Sequence, residues 1–366
     1  MRTVARILTV VATVLAVVLL FAYSVMWLLV NGPSPSAKRL FVLSVKETSA
    51  AGFLADLFLS ENEISEILSS AAVDAEDEEL DYSLVKLPST ELADENADVR
   101  DESTEVTQAP APETETVSAP SAPAEIAPTT ETEDFTAGIE VVDVAGQTFN
   151  GKMMIIADPK RVFVGVPDSY GENSSGLSVA AMIEKYDCIA GTNAGGFYDP
   201  DGQGSGGIPE GIVIYEGELL WGDRKASYSI AGLDRDGRLH VGKIRADEAL
   251  EKGIVYAASY GPALVVNGKS AGGTSAIGGG LNPRTAIGQR ADGAILLLVV
   301  NGRSVDSLGA TFDDLAAVML EFGAVNATNL DGGSSSLMIM NGEHLTSSSY
   351  IFGERVVATA ILVKKQ

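Results

Sequence analysis

A run of 24 residues without a charged side chain, residues 7–30, most constrains how this chain can fold. As an α-helix the run is about 36 Å long, which is enough to cross the roughly 30 Å hydrocarbon core of a membrane. Arg2 and Arg6 precede it and favour a cytoplasmic N-terminus. The alternative is a cleaved signal peptide, but the run is longer than the apolar region of such peptides. Residues 1–37 are therefore predicted to be an uncleaved membrane anchor that leaves the rest of the chain outside the cytoplasm.

Two segments of different composition follow the anchor. Residues 38–71 place apolar residues at helical spacing and contain a capping-box pattern at Ser60 and Glu63, which predicts a helical stalk. The stalk is either a plain spacer or a surface that packs on a partner or on the membrane. Residues 72–137 hold 19 acidic and two basic residues with six prolines, which predicts a disordered linker. This linker is either a solvated spacer or a ligand for a basic surface.

The overall composition excludes several classes of protein. The 50 acidic and 25 basic residues give a net charge of −25, which argues against a nucleic-acid partner because such proteins neutralise phosphates with Lys and Arg. The single cysteine, Cys188, excludes an internal disulfide. His240 and His344 are expected to be ordinary exposed residues, and His344 is the better candidate to line a cleft. No cofactor is expected, although oxygen-rich loops such as residues 199–202 could hold a divalent cation such as calcium.

Residues 138–366 are predicted to form the folded domain. The pattern predicts many short strands, with hairpins around Glu216-Gly217 and Asp236-Gly237, and a last strand at residues 356–363. Thr311 is expected to cap the longest helix of this domain. Because helices are too few for a repeated βαβ pattern, the fold class is predicted to be α+β, with a mixed, largely antiparallel sheet and a few short helices.

The first of three motifs follows a predicted buried strand. It contains Asn193, Gly195, Gly196, Phe197 and Tyr198. Adjacent glycines allow the backbone to approach a bound anion closely, and an amide beside aromatic rings suits the hydroxyls and the apolar face of a sugar. The alternative is a tight turn without a ligand.

The second motif contains Arg284 and Thr285 at the start of a predicted strand, after the glycines at 278–280. An arginine can form two parallel hydrogen bonds with a phosphate or a carboxylate. The alternative for a single arginine is a surface salt bridge.

The third motif contains Asn329, Asp331, Gly332, Gly333 and Ser334, between two apolar strands. A carboxylate at the end of a strand, followed by a glycine turn and hydroxyls, fits a catalytic acid, base or nucleophile, or an oxygen-ligand cation site. The alternative is an ordinary turn, because Asp-Gly is a common turn dipeptide.

In this order and spacing the three motifs resemble those of the phosphodiester glycosidase family, over about residues 138–366. Two positions depart from the family: its Asn-Gly-Gly-Phe pattern appears here with Ala194 between Asn193 and Gly195, and Ser334 stands where the family has a glycine. The animal member of the family removes N-acetylglucosamine from a phosphodiester, and bacterial relatives are often labelled exopolysaccharide-related. The resemblance implies a hydrolase that cleaves the bond between the anomeric carbon and oxygen of a sugar-1-phosphodiester, in a cell-surface polysaccharide or other glycopolymer.

The resemblance also implies roles for carboxylates. Asp331 would activate water or attack the anomeric carbon, and Glu210 is the candidate for the second carboxylate. Asp199 and Asp201 are alternatives to Glu210, although their sequence is more typical of a turn.

The phosphate leaving group calls for positive charge and N–H donors more than for a strong acid. Arg284 and the amides of Gly195 and Gly196 are the predicted donors. A competing hypothesis is a cell-surface module that binds polysaccharide without cleaving it. A third is a phosphodiesterase that breaks the P–O bond, which usually requires a metal cluster.

Overall fold

The computed structural model describes residues 2–46, 52–71, 79–87, 136–271, 279–350 and 353–366. Most of the predicted disordered linker, residues 72–137, lies outside these ranges, as does Gly278 of the second motif. The prediction of disorder in the linker therefore stays a prediction.

The N-terminal part of the chain is helical. Within helix α1, residues 6–31 are apolar enough and long enough to cross a membrane, and the most apolar stretch of 18 residues has no buried side chain. A signal sequence has the same properties, so the helix alone does not distinguish an anchor from a signal. The four helices of this region are α1 (Arg2–Asn31), α2 (Pro35–Lys46), α3 (Phe53–Asp56) and α4 (Glu61–Ala71).

Helices α2 to α4 pack around a small apolar cluster formed by Val42, Ala55 and Ile64. The predicted capping box begins α4, because the Ser60 N–H donates to a Glu63 carboxylate oxygen (3.1 Å) and the Glu63 N–H donates to Ser60 Oγ (3.3 Å). The helical prediction for this region is confirmed.

The C-terminal domain contains 17 strands and three helices in the described residues. The helices are α5 (Val179–Lys185), α6 (Ala246–Glu251) and α7 (Phe312–Glu321). The strands are β1 (Ile139–Ala145), β2 (Asn150–Ile156), β3 (Val162–Gly165), β4 (Cys188–Asn193), β5 (Val213–Tyr215), β6 (Glu218–Trp221), β7 (Ser227–Asp234), β8 (Leu239–Arg245), β9 (Ile254–Ser259), β10 (Ala263–Val266), β11 (Lys269–Ser270), β12 (Arg284–Arg290), β13 (Ile295–Val300), β14 (Ala324–Leu330), β15 (Met338–Met340), β16 (Glu343–His344) and β17 (Ala360–Lys364).

The strands form three sheets rather than one. The largest has the order β1-β2-β13-β12-β14-β10-β11, and the other two have the orders β16-β15-β4-β17-β3 and β6-β5-β9-β7-β8. The strand pairs in the described ranges are antiparallel, and both predicted hairpins, β5-β6 and β7-β8, are present. The α+β fold class is confirmed. The last strand begins later than predicted, and Val357 makes only an isolated bridge to Leu177.

The three sheets share one apolar core. Residues from each sheet, such as Leu297, Ile361 and Ala258, lie in the same buried cluster. Helix α7 covers the other face of the seven-stranded sheet through Leu315 and Met319. As predicted, Thr311 caps this helix, since its Oγ1 accepts a hydrogen bond from the Asp314 N–H (3.1 Å). The packing fixes the ends of β4, β12 and β14 relative to one another.

Residues 79–87, inside the predicted linker, differ from a solvated spacer. Val85 is buried, and the Asp81 N–H donates to Asn267 Oδ1 (2.7 Å). The Tyr82 hydroxyl lies 2.8 Å from His240 Nδ1. His240 is therefore buried and hydrogen-bonded, and the expectation of an exposed residue was wrong. We call residues 79–87 the docked segment.

Candidate active site

The three sequence motifs meet at one end of the seven-stranded sheet. Asn193, at the end of β4, donates through Nδ2 to the Asp331 carbonyl (2.6 Å), and the Asp331 N–H donates to the Ala194 carbonyl (2.8 Å). The Gly333 N–H donates to the Pro283 carbonyl (2.8 Å), just before β12. These bonds bring the ends of β4 and β14 and the start of β12 together around Asp331.

The polar side chains of Asn193, Thr285 and Asn329 are buried and hydrogen-bonded. Asn193 Oδ1 accepts hydrogen bonds from Thr285 Oγ1 (2.8 Å) and from the Leu337 N–H (3.3 Å). Asn329 Nδ2 donates to the Gly261 carbonyl (2.8 Å). Their contacts suit residues that position the site, because each holds a neighbouring loop.

The backbone amides of the first motif have acceptors inside the protein. The Gly195 N–H donates to Thr359 Oγ1 (2.8 Å), and the Gly196 N–H donates to the Ser259 carbonyl (3.1 Å). These bonds do not support the predicted role of the two amides as donors to a bound anion.

Glu210 lies against the first motif. Its N–H donates to the Gly196 carbonyl (2.9 Å). A Cβ added to Gly196 would be 2.7 Å from the Tyr260 ring and 2.8 Å from Glu210 Oε2, so glycine is required there for close packing. Partial burial of the carboxyl, followed by the negative charge of Asp199, raises the pKa of Glu210.

Asp331 is the most perturbed carboxyl of the site. Burial of its carboxyl raises the pKa of Asp331 to about 7, and the negative charge of Glu210 acts in the same direction. Hydrogen bonds from Ser335 and the Gly332 backbone, with the positive charge of Arg355, partly oppose this effect. A carboxyl with a pKa near neutrality can both take up and release a proton at physiological pH.

Arg355 belongs to this site, although the sequence analysis did not identify it. Its Nη1 donates to Ser334 Oγ (2.7 Å), its Nη2 forms an ion pair with Asp199, and its guanidinium lies 4.9 Å from the centre of the Phe197 ring. Because Asp199 is paired in this way, the geometry favours Glu210 as the second carboxylate. Arg355 lies before β17 and belongs to no recognisable motif. The only sequence signal for it is a basic residue close to an apolar strand.

The Asp201 side chain, the other alternative to Glu210, lies outside the described part of the structure.

The position of Arg284 does not support its predicted role as a donor to the phosphate. It is only 4% exposed, and its guanidinium donates to the carbonyls of Gly280 (2.6 Å) and Ala310 (3.1 Å) and stacks on Phe312. The loop that it holds also contacts the stalk, because the Leu281 N–H donates to Ser44 Oγ (2.9 Å). The contacts of Arg284 thus support the loops around the site.

The two glycines after Asp331 allow a tight turn. A Cβ on Gly332 would lie 2.9 Å from the Pro283 carbonyl oxygen, and Gly333 has a φ of +58°.

Of the two aromatic residues in the first motif, Phe197 is buried and Tyr198 is 60% exposed. Tyr198 is therefore the ring that can meet a ligand from solvent.

His344 is exposed as expected, and its Nε2 lies 2.7 Å from a Glu354 carboxylate oxygen. Within the described ranges, no group of three or more His, Cys, Asp or Glu side chains is arranged to hold a metal ion. Binding of a divalent cation stays a prediction.

Comparison with known proteins agrees with this geometry. Residues 186–364 match the family model for phosphodiester glycosidases. The chain is 29% identical over 242 residues to the SPbeta prophage-derived uncharacterized protein YomE of Bacillus subtilis, covering 62% of this chain and 37% of that protein. It is 26% identical over 226 residues to N-acetylglucosamine-1-phosphodiester alpha-N-acetylglucosaminidase of Mus musculus, covering 56% and 42%. The chain thus spans about two-fifths of the length of these relatives.

The fold also resembles a solved structure. The zebrafish N-acetylglucosamine-1-phosphodiester alpha-N-acetylglucosaminidase catalytic domain, auto-inhibited by its pro-peptide, aligns with a TM-score of 0.51 and 22% identity. The alignment covers 62% of this chain and 82% of the zebrafish chain, which establishes similarity of fold. Residues 186–364 are thus similar in sequence to the phosphodiester glycosidase family, and the chain shares its fold with the catalytic domain of the zebrafish enzyme.

Proposed function

We propose that this protein hydrolyses the C1–O bond of a sugar-1-phosphodiester. The observation that carries the proposal is the pair of carboxyls, Asp331 and Glu210, whose pKa values are both raised, that of Asp331 in part by the charge of Glu210. Most glycosidases use a pair of carboxyl groups with shifted pKa values as their catalytic residues. The match to the phosphodiester glycosidase family supports the same chemistry.

The reaction needs one bond to form at the anomeric carbon and one to break. Ionised Asp331 takes a proton from water, whose oxygen then bonds to C1, or it attacks C1 itself to give an ester that water hydrolyses. The C1–O bond breaks, and its electron pair leaves with the phosphate oxygen. Glu210, when protonated, can donate a proton to that oxygen, and a phosphate monoester leaves readily even with weak assistance.

Several contacts support recognition of a sugar beside these carboxyls. Exposed Tyr198 offers an apolar face for the sugar ring. The Tyr260 ring packs on Gly196, beside the Glu210 carboxyl. Asn193, Thr285 and Asn329 hold the loops that carry Asp331. N-acetylglucosamine is the proposed sugar, because the mouse relative is named for it.

We further propose that the domain acts outside the cytoplasm, on a cell-surface polysaccharide or glycopolymer, with residues 7–30 as its membrane anchor. The support is the long uncharged helix with Arg2 and Arg6 at its start. A cysteine accessibility assay on intact cells tests the topology: a cysteine placed in the exposed β7-β8 turn should react with a membrane-impermeant reagent without lysis. Reaction only after lysis would contradict it.

The chemistry is tested by hydrolysis in ¹⁸O-labelled water. The detergent-solubilised protein is incubated with the methyl phosphodiester of N-acetylglucosamine-1-phosphate, and the label is located by mass spectrometry, with Asp331→Asn as the inactive control. Label in the sugar is the expected result, because water attacks C1. Label in the phosphate would instead indicate a P–O phosphodiesterase, and binding of the substrate without turnover would indicate a non-catalytic module.

A further inference from the structure

A third arginine lies beside the Asp331 turn, on the loop that follows β13. Arg303 has a φ of +57°, a left-handed conformation that is uncommon for residues other than glycine, asparagine and aspartate. Backbone strain of this kind is held in place by surrounding structure and concentrates at functional sites. The unusual backbone therefore calls attention to what the Arg303 side chain does.

The guanidinium of Arg303 lies over the third motif. A Cβ added to Gly333 would be 3.1 Å from Arg303 Nη2. The guanidinium therefore lies against Gly333, which follows Asp331 by two positions in the chain. The same Nη2 donates to Asn282 Oδ1 (3.1 Å), and Asn282 is buried two residues before β12. A buried amide thus fixes the direction of the arginine beside the Asp331 turn.

The loop that carries Arg303 is itself held tightly. Ser307 Oγ donates to the Asn301 carbonyl (2.7 Å), and Asn301 Oδ1 accepts from the Ser347 N–H (2.8 Å). Gly302 packs closely on the segment just before β12. A Cβ added to Gly302 would be 2.6 Å from the Pro283 nitrogen. These contacts pre-organise Arg303, which reduces the entropy lost when it binds a ligand.

The three arginines around the site differ in exposure. The Arg284 guanidinium is buried on backbone carbonyls, and buried Arg355 is paired with Asp199. Arg303 is exposed to solvent. A phosphate arriving from solvent would therefore meet Arg303 without having to break a buried ion pair.

We propose that Arg303 binds the phosphate of the substrate and gives the site its preference for phosphodiesters over glycosides with uncharged leaving groups. The assignment rests on the proposed function. The guanidinium donates hydrogen bonds to the non-bridging phosphate oxygens, and it stabilises the charge that grows on the phosphate as the C1–O bond breaks. Arg303 binds the non-bridging oxygens of the leaving phosphate, while Asp331 acts at C1 and Glu210 can protonate the oxygen of the bond that breaks.

The test compares two substrates that share a sugar and differ in the leaving group. One is the methyl phosphodiester of N-acetylglucosamine-1-phosphate, and the other is 4-nitrophenyl α-N-acetylglucosaminide, which has no phosphate. The full-length protein is compared with Arg303→Asn, because asparagine accepts the left-handed backbone. Arg235→Asn, in the exposed β7-β8 turn, is the matched control.

For Arg303→Asn we expect kcat/KM to fall by about 10- to 100-fold on the phosphodiester and by less than about threefold on the nitrophenyl glycoside. Arg235→Asn should change neither value. Inorganic phosphate should inhibit nitrophenyl glycoside hydrolysis by the wild type, and this inhibition should weaken in Arg303→Asn.

Equal losses on both substrates, or an unchanged kcat/KM for the phosphodiester, would overturn the role of Arg303 and leave the proposed function standing. A wild-type protein that hydrolyses neither substrate would overturn the proposed function itself, and with it this assignment. If Arg303→Asn melts at a lower temperature than the wild type, Arg303→Gly repeats the comparison with no backbone strain.

Discussion

Two aspartates at the ends of strands, Asp331 and Asp234, each begin a turn, but the surroundings of their carboxyls differ. Asp331 follows β14, and Asp234 ends β7. Asp234 Oδ1 accepts hydrogen bonds from the N–H groups of Asp236 (3.0 Å) and Arg238 (2.9 Å). Its Oδ2 lies 3.3 Å from His240 Nε2. These bonds form the ordinary aspartate turn that was the alternative interpretation of the third motif.

The pKa values of the two carboxyls are shifted in opposite directions from the ordinary value of an aspartate. Burial alone would raise the pKa of Asp234, but hydrogen bonds from His240 and from the backbone outweigh burial and lower it. At Asp331 burial prevails and raises the pKa to about 7, since Ser335, Arg355 and the Gly332 backbone compensate only in part. The comparison shows that compensation by hydrogen-bond donors, rather than the turn itself, separates the lowered pKa of Asp234 from the raised pKa of Asp331, the carboxylate that we propose reacts.

After the removal of Asp331 itself, the largest effect is expected when the second carboxyl is removed. Glu210→Gln should lower kcat by about 10²- to 10⁴-fold, because it removes a group positioned to transfer a proton. Since the charge of Glu210 raises the pKa of Asp331, its removal should also shift the Asp331 ionisation to lower pH. The measurement is kcat as a function of pH, with Glu216→Gln in the exposed β5-β6 turn as the control. An unchanged kcat and pH profile would remove Glu210 from the site.

The structural aspartate should respond in the opposite way. Asp234→Asn should lower the free energy of unfolding by about 1–3 kcal/mol at neutral pH and leave kcat per folded molecule unchanged. Because the folded-state pKa of Asp234 is lowered, its stabilisation exists above the ordinary value of 3.8 and is lost as the pH falls through the folded value. Urea unfolding at several pH values should therefore show the two proteins converging in acid. A stability gap that widens in acid would refute this account of Asp234.

The smallest effect concerns the docked segment, which supplies Tyr82 to the His240 end of this network. Val85→Ala should lower the free energy of unfolding by about 1–2 kcal/mol, because Val85 is buried against the domain. Leu84→Ala, at an exposed neighbour, is the control and should change it by less than about 0.5 kcal/mol. Equal, negligible effects would show that residues 79–87 are a solvated spacer in solution.

Sequence reasoning reached the parts of this protein that depend on local pattern. Alternation and turn residues predicted most strands, and the capping patterns at Ser60 and Thr311 predicted two helix starts. Asp331 could be named because a carboxylate followed by two glycines at the end of a strand is a local signal. Strand β9 was missed, since its short apolar run after a helix has no alternation to mark it.

The sequence could not show which polar groups pair across the fold. Arg284 stood in the expected motif but is buried on carbonyls, while Arg355, in no motif, is paired with Asp199 beside the site. His240 was expected to be exposed because it follows a turn, but Tyr82 covers it from 158 residues away along the chain. Such pairings depend on contacts between distant segments, which no local pattern specifies.

The central claim is that Asp331 is the reacting carboxylate, and the most direct test is kcat for Asp331→Asn measured with a melting curve on the same sample at about pH 8. We predict that kcat falls by at least about 10³-fold, because asparagine can neither take a proton nor carry negative charge. The melting temperature should equal or exceed that of the wild type. The reason is that the folded-state pKa of Asp331 is about 7 against an ordinary value of 3.8, so the wild type loses stability as the pH rises between these values and the neutral amide does not. A variant that keeps near-normal kcat per folded molecule, or that loses activity only in proportion to its loss of folded protein, would contradict the account.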